Sequence, residues 1–219
     1  MGDARSGAAV RRATAADEDD VVAVLCDAFF DDPVCRWMIP DGIRRRELLP
    51  SVFRAFTREA AVNGRVYLAG DGLGALLAVH TPAREDVHGA DDADDTDDTD
   101  AASARGLAGL AEEFADRLLT CARLLAAHHP GGPAHLYVPL VAARSGHQGR
   151  GIGSALVASA LADTAGTPVY LEATSGESLR LYRRLGFTRR GPELRLPDGP
   201  ALFPVWWDPA PSPSSGRTG

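Results

Sequence analysis

The sequence predicts an α+β fold, and three observations carry that prediction. Apolar residues recur at helical spacing in three long segments, with short β-branched or alternating runs between them. A glycine-rich run, Gln148-Gly149-Arg150-Gly151-Ile152-Gly153-Ser154, stands between a buried-strand pattern and an apolar helix pattern. After it, the order strand, helix, strand, helix closes on a hairpin signal.

The elements follow in order. Residues 8–14 read as a first strand. Thr14-Ala15-Ala16-Asp17 has the form of a capping box, in which the two end residues satisfy each other's backbone donors. The helix it opens runs to about Phe30, with Val21, Val24, Leu25, Ala28 and Phe29 on one face and Pro33 just past its end. A second helix is expected over about 44–62, carrying Leu48, Val52, Phe56 and Ala60 on one face and stopped by Gly64. Residues 65–69 and 74–80 are two strands joined by the Asp71-Gly72 hairpin signal. A third amphipathic helix spans about 106–128 and is broken by Pro130-Gly131-Gly132-Pro133. Residues 135–143 form the strand before the glycine run, 154–162 the helix after it, and 168–174 a second strand. Residues 193–196 and 201–207 suggest a terminal hairpin.

The 219 residues fit one domain over 1–208, with enough chain to bury a core. Within it, a disordered acidic loop is expected at about 86–103, and a disordered tail at 209–219. Residues 91–100 hold seven aspartates and no cation. Such a block repels itself and buries nothing. It accounts for the whole net charge of -7, so the remainder is formally neutral. Without a lysine or an arginine-rich face, nucleic acid is excluded as a partner. No apolar run approaches the roughly twenty residues of a membrane span, and residues 1–6 lack a signal-peptide core. Cys26, Cys35 and Cys121 are widely spaced, so neither a disulfide framework nor a metal site is expected. A cytoplasmic location and a monomer or homodimer are the resulting expectations.

Glycines at 149, 151 and 153 let a bulky ligand approach the backbone, and the first N–H groups of the following helix have no internal partners. With the helix dipole this makes a phosphate site. The spacing fits neither a dinucleotide fingerprint nor a P-loop. It resembles the Q/R-x-x-G-x-G/A signature of the GNAT acyltransferases, with Gln148, Gly151 and Gly153 in the specified places. Leu181-Tyr182-Arg183-Arg184-Leu185-Gly186-Phe187 is similar to the L/F-Y-x-x-x-G-F signature of the same family. The resemblance covers roughly residues 8–208. It implies the GNAT fold: a central mixed, mostly antiparallel twisted sheet flanked by helices, with a V-shaped splay between the two motif strands. It also implies acetyl-CoA as acyl donor, its pyrophosphate on Gln148, Gly149, Arg150, Gly151, Ile152, Gly153 and Ser154. Val141, Ala142, Ala143 and Ser178 are the further cofactor-binding positions, the first three offering a backbone N–H to the oxyanion.

Attack on a thioester needs a neutral nucleophile, a base and a proton for the departing thiolate. By resemblance Tyr182 is the general acid. Glu172, on the second motif strand, is the candidate base, or else a structural partner of Arg180 or Arg183. His80 and His135 are further base candidates, although a lone histidine at a strand end is more often a satisfied structural residue. Phe30, Asp32 and Trp37 fall where the family caps its acceptor pocket. Ala28-Phe29-Phe30-Asp31-Asp32-Pro33 brings the chain near the puromycin N-acetyltransferase-like actinobacterial enzymes. Asp32 replaces the tyrosine of the puromycin site, Ser178 replaces a common asparagine, and turn 144–147 lacks the usual proline and is expected to be less rigid. The expected activity is direct acetyl transfer from acetyl-CoA to an amine of a small molecule, an antibiotic or natural-product metabolite among them. The alternatives are a non-catalytic acyl-CoA sensor and a protein N-acetyltransferase.

Overall fold

The computed structural model describes residues 9–84 and 112–209. A first strand, β1 (Val10–Arg12), leads into a single 3-10 turn, Ala15–Asp17, and then α1 (Glu18–Phe29). The capping box forms as expected: Thr14 N donates to Asp17 Oδ2 at 2.7 Å and Thr14 Oγ1 donates to it at 2.8 Å. Three acidic residues in the first turn of α1 complement the helix dipole.

The chain does not stay irregular past Phe30. Asp32 Oδ1 accepts from Val34 N and Cys35 N, and Pro33 occupies the first helical position, starting α2 (Pro33–Met38). Aspartate followed by proline is a strong helix start. Asp41 caps α3 (Gly42–Asn63). Gly64 joins α3 to β2 (Gly64–Ala69) where the strands approach closely. A Cβ there would lie 1.9 Å from the Ala78 carbonyl oxygen, so only glycine fits. Next come β3 (Gly74–Thr81), α4 (Glu112–His128), β4 (His135–Ala143) and α5 (Ile152–Ala162). β5 (Val169–Ala173) and α6 (Gly176–Arg184) complete the motif region. The chain closes with β6 (Thr188–Arg189), β7 (Leu194–Arg195) and β8 (Ala201–Trp207).

The terminal hairpin is present as β7 on β8, and β8 also pairs β6, which the sequence did not announce. The acidic tract, the start of the third helix before residue 112 and the tail from 210 lie outside the described residues.

The strand order is β1-β2-β3-β4-β5-β8-β6, with β7 on β8. Among the described residues, only β4 and β5 run parallel. Their pairing covers two positions, Leu136 with Val169 and Tyr137 with Tyr170, and then stops. From there β4 follows β3 and β5 follows β8, so a wedge opens toward Ala143 and Ala173. This is the expected splay.

A bulge on β4 shapes one wall of the wedge. Between Leu77 paired with Leu140 and Val79 paired with Tyr137, β4 spends one residue more than β3, at Val138-Pro139. One extra residue reverses which face every later side chain takes. Leu136 and Val138 pack under α5 and α6, and beyond the bulge Val141 and Ala143 do so, while Leu140 and Ala142 turn to the α1 and α3 side. The two apolar clusters thus sit on opposite faces of one sheet. A third, containing Cys121, Val34 and Leu196, joins α4 to α2 and the β7 hairpin.

Candidate active site

The N-terminus of α5 is open. Gly151 is its cap residue with φ +85, and it offers no side chain to the first turn. The first helical bond runs from Ala155 N to Gly151 O, which leaves the N–H groups of Ile152, Gly153 and Ser154 without helical partners. Gly149 and Gly151 both hold positive φ, and the space where their Cβ atoms would stand is empty to 4 Å. Gln148, Gly149, Arg150 and Gly151 are exposed, whereas the Ile152 side chain is buried in the core and offers the site its backbone alone. A dipole end, free donors and room are what a pyrophosphate needs, so these residues fit acetyl-CoA.

The turn before this loop is held more firmly than its lack of proline suggests. Arg144 Nε donates to Gly72 O at 2.7 Å, and Ser145 N donates to Asp27 Oδ2 at 2.6 Å. Arg144 N also donates to Leu73 O. Along an antiparallel ladder, bonded and non-bonded pairs alternate. Ala142 N–H is therefore directed at β3, and the N–H groups of Val141 and Ala143 are directed into the wedge. Of the three expected oxyanion donors, two face the gap and Ala142 does not.

Glu172 and Tyr182 flank β5 on opposite faces. Leu171 and Ala173 pack with Tyr182 in the cluster under α5 and α6, and Glu172 points the other way, with Tyr170. Tyr182 is 6% exposed and its ring lies 5.6 Å from that of Phe187. Burial raises its pKa, so the phenol is protonated at neutral pH. Its hydroxyl has no hydrogen bond among the described residues and is not sealed from solvent. α6 faces the first turn of α5, where a Cβ at Gly153 would lie 3.7 Å from Leu181 Cδ1.

Burial pushes the Glu172 carboxyl up to about 7, against the milder opposing influence of the Tyr170 and Tyr137 phenols. Those phenols lie near the carboxyl, yet neither makes a hydrogen bond of ordinary geometry to its inner oxygen, Oε1. No ion pair reaches Glu172 among the described residues, so neither Arg180 nor Arg183 neutralises it.

The remaining expected residues do not gather into one pocket. Asp32 caps α2, and Oδ2 accepts from Thr174 Oγ1 at 3.1 Å, so it is not a solvated end-of-helix carboxylate. Trp37 Nε1 donates to Pro197 O at 2.8 Å, and the ring covers Gly199. Phe30 lies under the guanidinium groups of Arg45 and Arg46 and lines a depression of about 370 Å³ with Asp31, Leu49 and Ser145. Ser178 spends its hydroxyl in a capping box with Ser175 at the start of α6. His80 lines a larger depression, about 540 Å³, which also touches His135 and lies at the other end of β4 from the wedge.

Residues 109–189 match the acetyltransferase (GNAT) domain model. That stretch holds both the glycine run and the Tyr182 segment. A Corynebacterium glutamicum structure, described as histone acetyltransferase HPA2 and related acetyltransferase, is 28% identical with a TM-score of 0.69, covering 95% of this chain and 99% of that one. A Drosophila melanogaster polyamine N-acetyltransferase is 19% identical with a TM-score of 0.59, covering 91% and 99%. Arylalkylamine N-acetyltransferase 2 from Aedes aegypti is 14% identical with a TM-score of 0.57, covering 91% and 98%. Together, domain and fold make the chain an N-acetyltransferase enzyme.

This acetyltransferase has a group of residues around Glu172 that sequence reasoning missed. Tyr137 and Tyr170 stack at 5.9 Å, and His129 meets both rings edge-on at 5.0 Å. His129 Nε2 and His135 Nε2 lie 2.9 Å apart, and His135 Nδ1 is 3.0 Å from Pro133 O. A carbonyl only accepts, so His135 carries its proton on Nδ1, and His129 donates from Nε2. His135 is therefore engaged in a neutral pair, 2% exposed, which is the structural one of its two readings. The signal available was the alternation His135, Tyr137 on one strand and Tyr170, Glu172 on the next. No metal-holding group of His, Cys, Asp or Glu occurs among the described residues, and the three cysteines are free. No helix among them is long and apolar enough to cross a membrane.

Proposed function

We propose that the chain transfers an acetyl group from acetyl-CoA to an amine of a small molecule, by direct attack within a ternary complex. The carrying observation is Glu172, a buried carboxyl without an ion-pair partner, titrating at about 7 beside the wedge. An alkyl ammonium with a pKa near ~10.4 costs roughly 4–5 kcal/mol to neutralise at pH 7. A base near 7 is suited to take that proton, being about half ionised at pH 7 while still basic.

Bound acetyl-CoA supplies an activated thioester. The N–H groups of Val141 and Ala143 are directed where the carbonyl oxygen becomes negative. Tyr182, protonated at neutral pH, donates to the departing thiolate. The open first turn of α5, with Gln148 and Arg150 beside it, holds the pyrophosphate. Phe30, Asp32 and Trp37 frame the acceptor side, Asp32 and Trp37 through the placement of α2.

At 19% and 14% identity the fly and mosquito enzymes support the fold; the amine acceptor is argued from Glu172. A kinship with puromycin-acetylating enzymes rests on the sequence motifs, and Asp32 turned into a helix cap argues against puromycin itself as acceptor. A sensor of acyl-CoA needs neither an unpaired base nor a phenol at the gap, so the catalytic reading is preferred.

The test is thiol release from acetyl-CoA across puromycin, aminoglycosides, polyamines, amino acids and a lysine peptide. Release that depends on one amine class and collapses in Glu172→Gln supports the reading. Acetyl-CoA binding without release in any arm would overturn it in favour of the sensor.

A further inference from the structure

Tyr170 and Glu172 are two residues apart on β5, so their side chains share a face. The Tyr170 hydroxyl and Glu172 Oε1 are both sealed from solvent, and both lack a hydrogen-bond partner. Buried polar atoms without partners are rare in folded proteins. These two are complementary, because a phenol donates and a carboxylate oxygen accepts. They are the only sealed orphan side-chain atoms among the described residues. Oε2 of the same carboxyl is not sealed.

The Tyr170 ring has little freedom to point elsewhere. Tyr137 stacks on it, His129 closes on its edge at 5.0 Å, and the Trp206 ring lies 6.3 Å away. We propose that Tyr170 is a positioning residue for Glu172: its hydroxyl bonds Oε1 in the working enzyme and so presents Oε2 to the acceptor. A hydrogen bond that is poorly aligned in a ligand-free site is common for catalytic contacts. The inference rests on Glu172 being the base.

Other groups facing Glu172 leave this task to the phenols. Tyr137 approaches from β4, and Cys121 from α4 has its thiol pushed up to about 11, chiefly by burial and then by Glu172. From β8 the paired residue is Pro204, which has no donor. No cation opposes the carboxyl among the described residues. Removing the Tyr170 hydroxyl therefore removes one of few contacts that favour the charged carboxylate.

The experiment is a carbon-13 NMR titration of the Glu172 carboxyl in the full chain and in Tyr170→Phe, with Glu172→Gln to assign the resonance. The midpoint is expected to rise by about half a pH unit or more in Tyr170→Phe, as for any lost hydrogen bond to a charged form. An unchanged titration midpoint overturns the proposal. The titration needs no acceptor, so a failure of the Tyr170 contact is distinguishable from a failure of Glu172 as the base. With an acceptor in hand, the acidic limb of kcat/KM should move with the NMR midpoint. A loss uniform across pH would mark Tyr170 as merely structural and overturn the proposal as well.

Discussion

Thr174 Oγ1 donates to Asp32 Oδ2 at 3.1 Å, and this bond ties the end of β5 to the cap of α2. One carboxylate thereby fixes the helix that carries Trp37 relative to the strand that carries Glu172. Asp32→Ala removes the cap and is expected to cost about 1–2 kcal/mol of stability. Asp32→Asn keeps a good cap and should stay within about 0.5 kcal/mol of the parent. Denaturant melts of both variants check the pair. The acceptor KM of Asp32→Asn should be unchanged within about threefold; a rise of a hundredfold would make Asp32 a ligand of the acceptor ammonium.

Tyr182→Phe isolates the acid. The ring stays packed on Phe187, so acetyl-CoA affinity by calorimetry should be unchanged. Turnover should drop by roughly ten- to a thousandfold, the span of general-acid effects. Full turnover in the variant would assign the phenol to packing alone.

Gly151 separates backbone strain from charge. Gly151→Ala meets no atom, but φ +85 is a left-handed conformation that costs an L residue about 1–2 kcal/mol. Gly151→Asp has the same strain and adds a negative charge at the dipole end where the pyrophosphate sits. Calorimetry should find acetyl-CoA binding weakened in the first and lost in the second. Equal affinities in the two would move the pyrophosphate away from this turn.

The parts of the site that were legible in the sequence are those made by contiguous residues. The glycine run, the bounds of β4 at 135 and 143, and the Thr14 capping box are local rules of backbone conformation and end-group satisfaction. Asp32-Pro33 was equally local, and placing Pro33 just past the end of one helix overlooked its use at the first position of the next. The bulge at Val138-Pro139 was announced only by a proline in a strand, a weak sign of a break in the ladder. The group around Glu172 had no local signal. His129, Tyr137 and Tyr170 meet only because β4 and β5 pair at two positions before parting, and that register belongs to the sheet.

Two buried titrating groups act on stability in opposite directions over the same pH range. Glu172 rises from an ordinary 4.5 to about 7 on folding. A raised carboxyl contributes stability that is complete below 4.5 and lost as pH rises through 7, up to about 3 kcal/mol at 1.36 per unit. His129 drops from 6.5 to about 4, through burial first and the neighbouring His135 second. A lowered histidine contributes stability that is complete above 6.5 and lost as pH falls through 4, by a similar amount of up to about 3 kcal/mol. In the parent protein the two slopes offset each other between about pH 4.5 and 6.5. Glu172→Gln removes the first slope alone. Urea melts should find it more stable than the parent at pH 8 and equal to it below pH 4.5, with its stability falling steeply from 6.5 toward 4. Parallel stability curves for the two proteins would show that Glu172 titrates near its ordinary value, and would remove the base at the centre of the proposed reaction.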